Sequence, residues 1–277
     1  MKNILAPVEL HSSIESAFAT ALLLARRFDS YVEGMPLGPD MPDLVAFDMP
    51  VSWTVADQHT WKEMADESRR HFEQFMTAAS VPSHETAPDG LSWGWAGDSS
   101  FGDSHLSSHA RLFDICVLGR PGAERGDARM ATAEAVLFDS GRPILLAPPK
   151  PPTALGDTIV IAWNQSMETT RATALAMPLL KKAKKVVVLT IPEHKVDGPT
   201  GDQLAHNLRA HGVPAEAVER SAKVRGHGEA ILEGAAALGA DLLVKGAYAQ
   251  SRLRQMIFGG ATSYILSKAN FPVFMSS

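Results

Sequence analysis

The sequence predicts two doubly wound α/β domains in tandem, each a Rossmann-like parallel sheet with helices on both faces. Short runs rich in Val, Ile and Leu alternate with helical stretches along all 277 residues. The apolar runs lack the polar alternation of half-exposed strands, which indicates strands buried on both faces. Four sequence blocks also recur in the same order in the two halves, which predicts an internal duplication.

The matched blocks define the expected elements in order. In the first half, apolar runs predict strands at 4–8, 31–35, 114–119 and 142–147, and Ala/Leu-rich or long polar stretches predict helices at 13–28 and about 61–79. In the second half, the corresponding strands are expected at 159–163, 186–190, 241–246 and 271–275, with a helix at 166–183. Right-handed crossovers are expected between successive parallel strands.

A proline-rich stretch, Ala-Pro-Pro-Lys-Pro-Pro-Thr at 147–153, separates the halves. It cannot be helical and predicts a stiff extended linker. The predicted domains are therefore residues 1–149 and 156–277. An insertion at about 36–60, rich in Pro, Asp and Met, lengthens the first half. Such a segment is either a lid or partner surface, or a loop with no role beyond packing.

Composition is that of an ordinary globular protein, with 45% hydrophobic residues and a mean hydropathy of -0.04. No apolar run approaches the roughly 20 residues that cross a bilayer, so we expect no membrane association. The N-terminal residues read as a first strand and not as a signal peptide. A single cysteine, Cys116, leaves no internal disulfide, which favours a cytoplasmic location.

The net charge of -5 is unevenly distributed. Residues 1–150 contain 12 basic and 21 acidic side chains, a net -9, whereas residues 151–277 contain 14 and 10, a net +4. A polyanion should therefore prefer the second half. No Arg-rich helix or aromatic-basic motif is present, so a nucleic-acid partner is not expected.

The second half offers a candidate ligand site at the carboxyl ends of its strands, where doubly wound sheets bind ligands. Polar residues follow the first strand of this half, and an apolar edge ends its second strand. A glycine ends the fourth strand, and a loop and a helix that starts with Gly-Gly come after it. Glycines and a helix start suit phosphate, because backbone N–H groups converge there. The candidate site residues are Ala162, Trp163, Asn164, Ile191, Lys245, Gly246, Ala249, Arg252, Gly259, Gly260, Ala261 and Thr262.

This constellation resembles the universal stress protein family in its tandem two-domain form. Nucleotide-binding members carry the motif Gly, two residues, Gly, nine residues, Gly, then Ser or Thr. Here Gly246 and Gly259 are in register, Ala249 replaces the second glycine, and Gly260 replaces the hydroxyl residue. Asn164 stands where such members place an aspartate.

The resemblance implies binding of ATP or a related adenine nucleotide, with Mg²⁺ where the ligand is a triphosphate. It also implies a regulatory or stress-protective role and pairing of domains, as a homodimer or a pseudo-dimer within the chain. No residue positions a water or a base, so we expect at most slow ATP hydrolysis. The edge strands at 144–147 and 273–275 are candidates for pairing.

The first half departs further from the motif. Gly119 and Gly122 are kept, but Thr132 and Ala133 replace the later glycine and hydroxyl residue, and Glu9 stands at the position of the nucleotide-holding acid. We therefore expect an interaction domain there, with a protein partner that the sequence does not identify.

Two alternatives remain. The chain could be a ligand-free interaction or scaffold protein whose sites have decayed. It could also be an enzyme of the wider adenine-nucleotide α-hydrolase group, although residues 163–168 lack the Ser-Gly-Gly loop that such an enzyme requires. His105 and His109 have the i, i+4 spacing of zinc ligands, but no Glu follows His105 as in the zinc motif, so we expect a solvated helix face.

Overall fold

We describe a computed structural model of the chain. The structure describes residues 1–38, 51–97, 102–122, 124, 126–221, 226–247 and 260–277, with the backbone alone for residues 51–60 and 194. By contacts, the chain divides into two compact units: residues 1–119 with 123–142, and residues 120–122 with 143–277. The domain bounds expected above, 1–149 and 156–277, stay predictions.

The first unit alternates strands and helices around one sheet. Its elements are β1 (Asn3–Val8), α1 (Ile14–Phe28), β2 (Tyr31–Pro36), α2 (Val51–Ala78), β3 (Ser92–Trp95), α3 (Asp103–Ala110), β4 (Ile115–Gly119) and α4 (Met130–Asp139). The strand order is β3-β2-β1-β4, and each of these pairs is parallel. Trp93 and Trp95 lie on one face of β3, where both rings contact Phe72 of α2.

The second unit contains the remaining elements. They are β5 (Ile144–Ala147), β6 (Thr158–Ala162), α5 (Met167–Lys182), β7 (Lys185–Thr190), a short 3-10 helix (Pro192–His194), α6 (Gly201–Ala210), β8 (Ala215–Glu219), α7 (His227–Ala237), β9 (Leu242–Gly246), α8 (Gly260–Lys268) and β10 (Val273–Ser276). Their strand order is β5-β10-β9-β6-β7-β8. All the pairs are parallel except β5 with β10, which is antiparallel.

The predicted mostly parallel α/β fold is confirmed, and its strands form the core. Five of the six residues of both β1 and β7 are buried, as are all five of β4 and of β9. β1 pairs with both β2 and β4, and β6 pairs with both β7 and β9, so the strand order reverses beside β1 in the first unit and beside β6 in the second. That crevice at the carboxyl ends of the strands is where doubly wound sheets bind ligands.

One helix start differs from the prediction. The helix expected at about 61–79 begins at Val51, so the last ten residues of the predicted insertion are helical and residues 39–50 lie outside the described chain. The sequence contains no Gly or Pro from Val51 to Ala78, and Pro50 directly precedes the helix. Proline at the helix start and the absence of breakers let the helix extend back to that point.

No described helix combines the length and the apolarity needed to span a bilayer.

Candidate functional site

The second unit has a cleft at the carboxyl ends of β6, β7 and β9, which we call the second-unit cleft. It comprises about 450 Å³ of space, open solvent included. Aliphatic side chains form one wall, and polar residues of α5, α7 and the end of β9 form the rest. The lining residues are Ala162, Trp163, Asn164, Ser166, Glu168, Thr169, Leu189, Ile191, His227, Ile231, Lys245, Gly246 and Ala261.

The turn between β6 and α5 uses Asn164 to hold its own backbone. Asn164 Oδ1 accepts hydrogen bonds from Ser166 N at 3.2 Å and from Thr169 Oγ1 at 3.0 Å. Ser166 is the N-cap of α5, and its Oγ accepts from Thr169 N at 3.4 Å. Such a cap satisfies one of the free amides at a helix start. Asn164 therefore serves the turn through its carbonyl oxygen, which leaves its amide group as the part that a ligand can use.

The polar groups of Trp163 are also hydrogen-bonded within the protein. Its indole Nε1 donates to the Pro199 carbonyl at 2.9 Å, and its backbone N donates to the Leu189 carbonyl at 2.8 Å. With 3% of its surface exposed, its contribution to the cleft is a rigid apolar surface and not a polar contact.

The end of β9 places a lysine inside the unit. Lys245 Nζ donates to Thr262 Oγ1 in the first turn of α8 at 2.8 Å and to the Gly246 carbonyl at 2.7 Å. Only 6% of Lys245 is exposed, although it lines the second-unit cleft. Burial lowers the pKa of the Lys245 ammonium to about 8, against a smaller opposing effect of the Glu168 carboxylate.

Gly246 brings the end of β9 against the first turn of α5. A Cβ at this position would lie 2.5 Å from both the Glu168 carbonyl carbon and the Thr169 N. No side chain fits there, so the glycine is required by packing as well as by any ligand. Gly228 plays the same part between α7 and α8, since a Cβ there would lie 2.7 Å from the Ala261 carbonyl oxygen.

Two helices begin at the second-unit cleft. Helix α7 begins at His227, which lines the cleft, and α8 begins at Gly260, whose next residue Ala261 lines it. Helix starts carry backbone N–H groups without intrahelical acceptors and a positive end of the helix dipole. Within the described part of the chain, no acceptor pairs with the N–H groups of Gly260, Ala261 and Thr262. These donors and the dipole favour an anionic group at this end of the cleft.

The structure brings together most of the site residues that the sequence suggested. Seven of them line the second-unit cleft: Ala162, Trp163, Asn164, Ile191, Lys245, Gly246 and Ala261. Thr262 contacts it through Lys245, and Gly260 begins α8. Ala249, Arg252 and Gly259 lie outside the described residues.

Sequence reasoning missed several lining residues. Leu189 belongs to the apolar edge expected at the end of β7, whereas His227 and Ile231 were not expected, although their i, i+4 spacing places them on one face of α7. No comparable local signal marked Glu168 and Thr169 as neighbours of Gly246, because that contact depends on how α5 packs against β9.

The equivalent place in the first unit, which we call the first-unit cleft, contains a network of charged side chains. Arg129 Nε lies 2.6 Å from Glu9 Oε1, near enough for an ion pair although not aligned as a hydrogen bond. Arg129 Nη2 donates to Asp103 Oδ1 at 3.3 Å and to the Gly38 carbonyl at 3.0 Å. Thr132 Oγ1, in the first turn of α4, donates to the same Asp103 oxygen at 2.8 Å.

His11 closes the first-unit cleft over the end of β4. A Cβ on Gly119 would lie 2.5 Å from His11 Nε2, so the ring occupies the space above that glycine. Burial lowers the pKa of the His11 imidazole to about 4, which keeps it neutral at pH 7. Burial also raises the pKa of the Glu9 carboxyl, partly offset by Arg129. These side chains narrow the first-unit cleft to about 260 Å³, open solvent included, against about 450 Å³ for the second-unit cleft.

The two histidines with the spacing of zinc ligands stack on each other, and one of them contacts a glutamate of the sheet. His105 and His109 lie on α3 with stacked rings 6.3 Å apart, and His109 Nε2 contacts Glu33 Oε1 at 2.6 Å. His105 is exposed, as a solvated helix face predicts, whereas His109 is half-buried beside Glu33 of β2. Among the described residues, no group of three or more His, Cys, Asp or Glu side chains is placed to hold a metal ion.

Comparison with known proteins agrees with this geometry. Residues 156–276 match the sequence model of the universal stress protein family. No curated protein sequence shows significant similarity to the chain.

Among solved structures, a universal stress protein from Archaeoglobus fulgidus DSM 4304 is similar over 99% of this chain and 96% of its own, with a TM-score of 0.69 and 16% identity. A functionally unknown protein from Pseudomonas aeruginosa PAO1 is similar over 100% and 92%, with a TM-score of 0.52 and 15% identity. At these identities the likeness shows the fold.

Proposed function

We propose that this chain, whose residues 156–276 belong to the universal stress protein family, is a regulatory protein that binds ATP or a related adenine nucleotide in its second-unit cleft. One observation carries the proposal: an apolar cleft at the strand-order reversal is lined at one end by Ala261 in the first turn of α8. Such a cleft suits a flat base at one end and a phosphate at the other.

The residues divide into two groups by chemistry. Leu189, Ile191 and Ile231 provide the aliphatic surface on which an adenine ring would lie. The N–H groups at the start of α8 would receive the phosphates, because an anion there gains hydrogen bonds and the helix dipole together. With a triphosphate, Mg²⁺ would be held mainly by phosphate oxygens and water, as that ion prefers.

Binding, and not turnover, is the activity that the site supports. Glu168 and His227 are the titratable side chains of the lining besides Lys245. The hydrogen bonds of Asn164, Thr169 and Lys245 hold the turn after β6 and the start of α8, and they do not pair a base with a nucleophile. A nucleotide would therefore act as a signal that stabilises the second unit, with hydrolysis slow at most.

We further propose that the protein acts in the cytoplasm, which suits its single buried thiol at Cys116. The pairing of domains that the family resemblance implies, as a homodimer or within the chain, belongs to the same proposal. The first unit would provide the surface for a protein partner, since Glu9, His11 and Arg129 narrow its own cleft.

The test introduces a negative charge where the phosphates are proposed to lie. Ala261→Glu puts a carboxylate in the first turn of α8, where an acidic side chain favours the helix but repels a phosphate. Ala261→Gln is the matched neutral control. We expect calorimetric titration to show ATP binding to wild type and to the Gln variant, and at least tenfold weaker binding to the Glu variant, which corresponds to about 1.4 kcal/mol.

ADP, AMP and cyclic AMP are titrated alongside ATP to identify the preferred phosphate. A protein that binds none of the four, and shows no thermal stabilisation by millimolar ATP, would be the ligand-free interaction protein. Equal ATP affinity in the Glu and Gln variants would place the nucleotide elsewhere.

A further inference from the structure

We infer that Lys245 determines which ligands the second-unit cleft accepts, because its buried ammonium requires a phosphate-type anion as its counter-ion. For the adenine part of the ligand this inference rests on the proposed function, whereas the anion site is argued from Lys245 itself. The consequence is selection by charge: phosphate-bearing ligands should bind far more tightly than the uncharged nucleoside.

The first step is that the charge of Lys245 is not neutralised within the protein. Its two partners are the Thr262 hydroxyl and the Gly246 carbonyl, which accept hydrogen bonds but have no formal charge. Among the described residues, no carboxylate lies within ion-pair distance of the ammonium. A buried charge without a counter-ion is costly, and proteins normally pair such a group.

The second step concerns the groups that could compensate. Glu168, on the neighbouring turn of α5, influences the ammonium only through space. His227, which faces the same cleft from α7, cannot supply negative charge. The sequence stretches 222–225 and 248–259, which precede α7 and α8, contain two lysine or arginine residues each and no carboxylate. The missing counter-ion must therefore come from outside the protein.

The third step is position. Lys245 lines the second-unit cleft at its α8 end, and Thr262 fixes the ammonium beside the first turn of that helix. An ammonium has three donors, and two of them are used within the protein. A phosphate at the helix start would thus meet the backbone donors of α8 and the remaining Lys245 proton together. Thr262 acts here as a positioning residue.

The test compares ligands of rising charge on matched variants. Lys245→Met keeps the length and apolar stem of the side chain and removes the charge. Lys268→Met makes the same change at an exposed lysine of α8 and is the control. Adenosine, AMP, ATP and inorganic tripolyphosphate are titrated into each full-length protein by calorimetry, with circular dichroism as the check of folding.

We expect wild type and Lys268→Met to bind ATP at least tenfold more tightly than adenosine. Lys245→Met should bind adenosine as tightly as wild type does, but it should lose most of the increase in affinity that the phosphates of ATP give wild type. Thr262→Val, which keeps the charge but removes its anchor, should lose a few-fold in ATP affinity. This second variant keeps the test decisive if Lys245→Met does not fold.

The outcomes separate this inference from the proposed function. Equal affinities for adenosine and ATP in both wild type and Lys245→Met would overturn the role of Lys245 and leave adenine binding intact. Tripolyphosphate binding that depends on Lys245, without any binding of adenosine, would support the anion site and overturn the adenine proposal. Absence of binding by every compound to wild type would overturn both.

Discussion

At the scale of single residues, the charge of Lys245 lowers the stability of the free protein and would raise its affinity for an anion. A lysine that is 6% exposed loses most of its hydration, and its two neutral hydrogen-bond partners replace only part of it. The unliganded protein therefore retains an unfavourable charge at the cleft. Ligand binding would remove that cost, so a residue that weakens the free protein strengthens its complex.

This opposition predicts that Lys245→Met stabilises the free protein. A pKa lowered from 10.5 to about 8 means that the folded state binds the proton less tightly than the unfolded state by about 3 kcal/mol. The variant should gain up to about that free energy of unfolding at pH 7, less the value of the two lost hydrogen bonds. Urea unfolding of both proteins measures it.

The pH dependence follows from the same pKa. The unfolded chain holds the Lys245 proton up to pH 10.5 and the folded chain only to about 8, so wild type gains stability as pH rises between these values. The difference in free energy of unfolding between Lys245→Met and wild type should therefore decrease as the pH rises from about 8 to 10.5. A variant less stable than wild type at pH 7 would instead assign Lys245 a purely structural role.

Single-residue features with a local cause are the ones that the sequence reveals. Ser166 caps α5 because a hydroxyl three residues before an amide can satisfy it, and Cys116 is fully buried because it lies inside an apolar strand. The contact of Lys245 with Thr262 joins residues 17 apart across a loop. The sequence suggested both residues as ligand contacts and gave no sign that they bind each other.

At the scale of elements, the cleft depends on how closely β9 approaches α5 and how α8 begins. Gly246 has no room for a Cβ beside the backbone of Glu168 and Thr169, whereas a Cβ on Gly260 would meet no atom of the described residues within 4 Å. The two glycines of the same motif therefore have different physical reasons for being glycine.

The same substitution at these two glycines should have opposite effects. Gly246→Ala must push α5 away from β9, which we expect to destabilise the protein by about 1–3 kcal/mol. Gly260→Ala should be neutral or stabilise by up to about 1 kcal/mol, since alanine favours a helix over glycine. Chemical denaturation compares them, and equal effects would show that packing at Gly246 is not as tight as described.

Elements were predictable from sequence because strands and helices leave periodic signals. Apolar runs located β6, β7 and β9 to within a residue or two of their observed bounds. The start of α2 was missed because its first residues, Val-Ser-Trp-Thr-Val, favour a strand over a helix. Only the absence of Gly and Pro through Ala78 indicated the longer helix.

At the scale of the whole molecule, one strand order supports two different clefts. The first-unit cleft contains its own ion network, with Arg129 between Glu9 and Asp103, whereas the second-unit cleft has a cation without a counter-ion among the described residues. The net charges of the two halves of the sequence, -9 and +4, follow the same division. Composition could predict which half favours an anion, but not that side chains of the other half would narrow its cleft to about 260 Å³, open solvent included.

The assignment of β5 is the last point that an experiment can decide. This strand precedes the proline-rich linker in sequence, yet by contacts it belongs to the second unit, where it pairs with β10 through Leu146–Val273, Leu145–Phe274 and Ile144–Met275. A fragment of residues 143–277 retains that pairing, and a fragment of residues 156–277 leaves the β10 edge unpaired.

We expect the shorter fragment to self-associate through the β10 edge that β5 covers in the longer fragment, because an unpaired apolar strand edge is a template for pairing with another chain. Sedimentation velocity over a range of concentrations, with thermal unfolding of each fragment, measures the difference. The shorter fragment should also melt at a lower temperature, since β10 loses hydrogen bonds on one side. If both fragments sediment as monomers and melt together, β5 contributes nothing to the second unit, and the boundaries expected from the sequence, 149 and 156, describe the domains better than the contacts do.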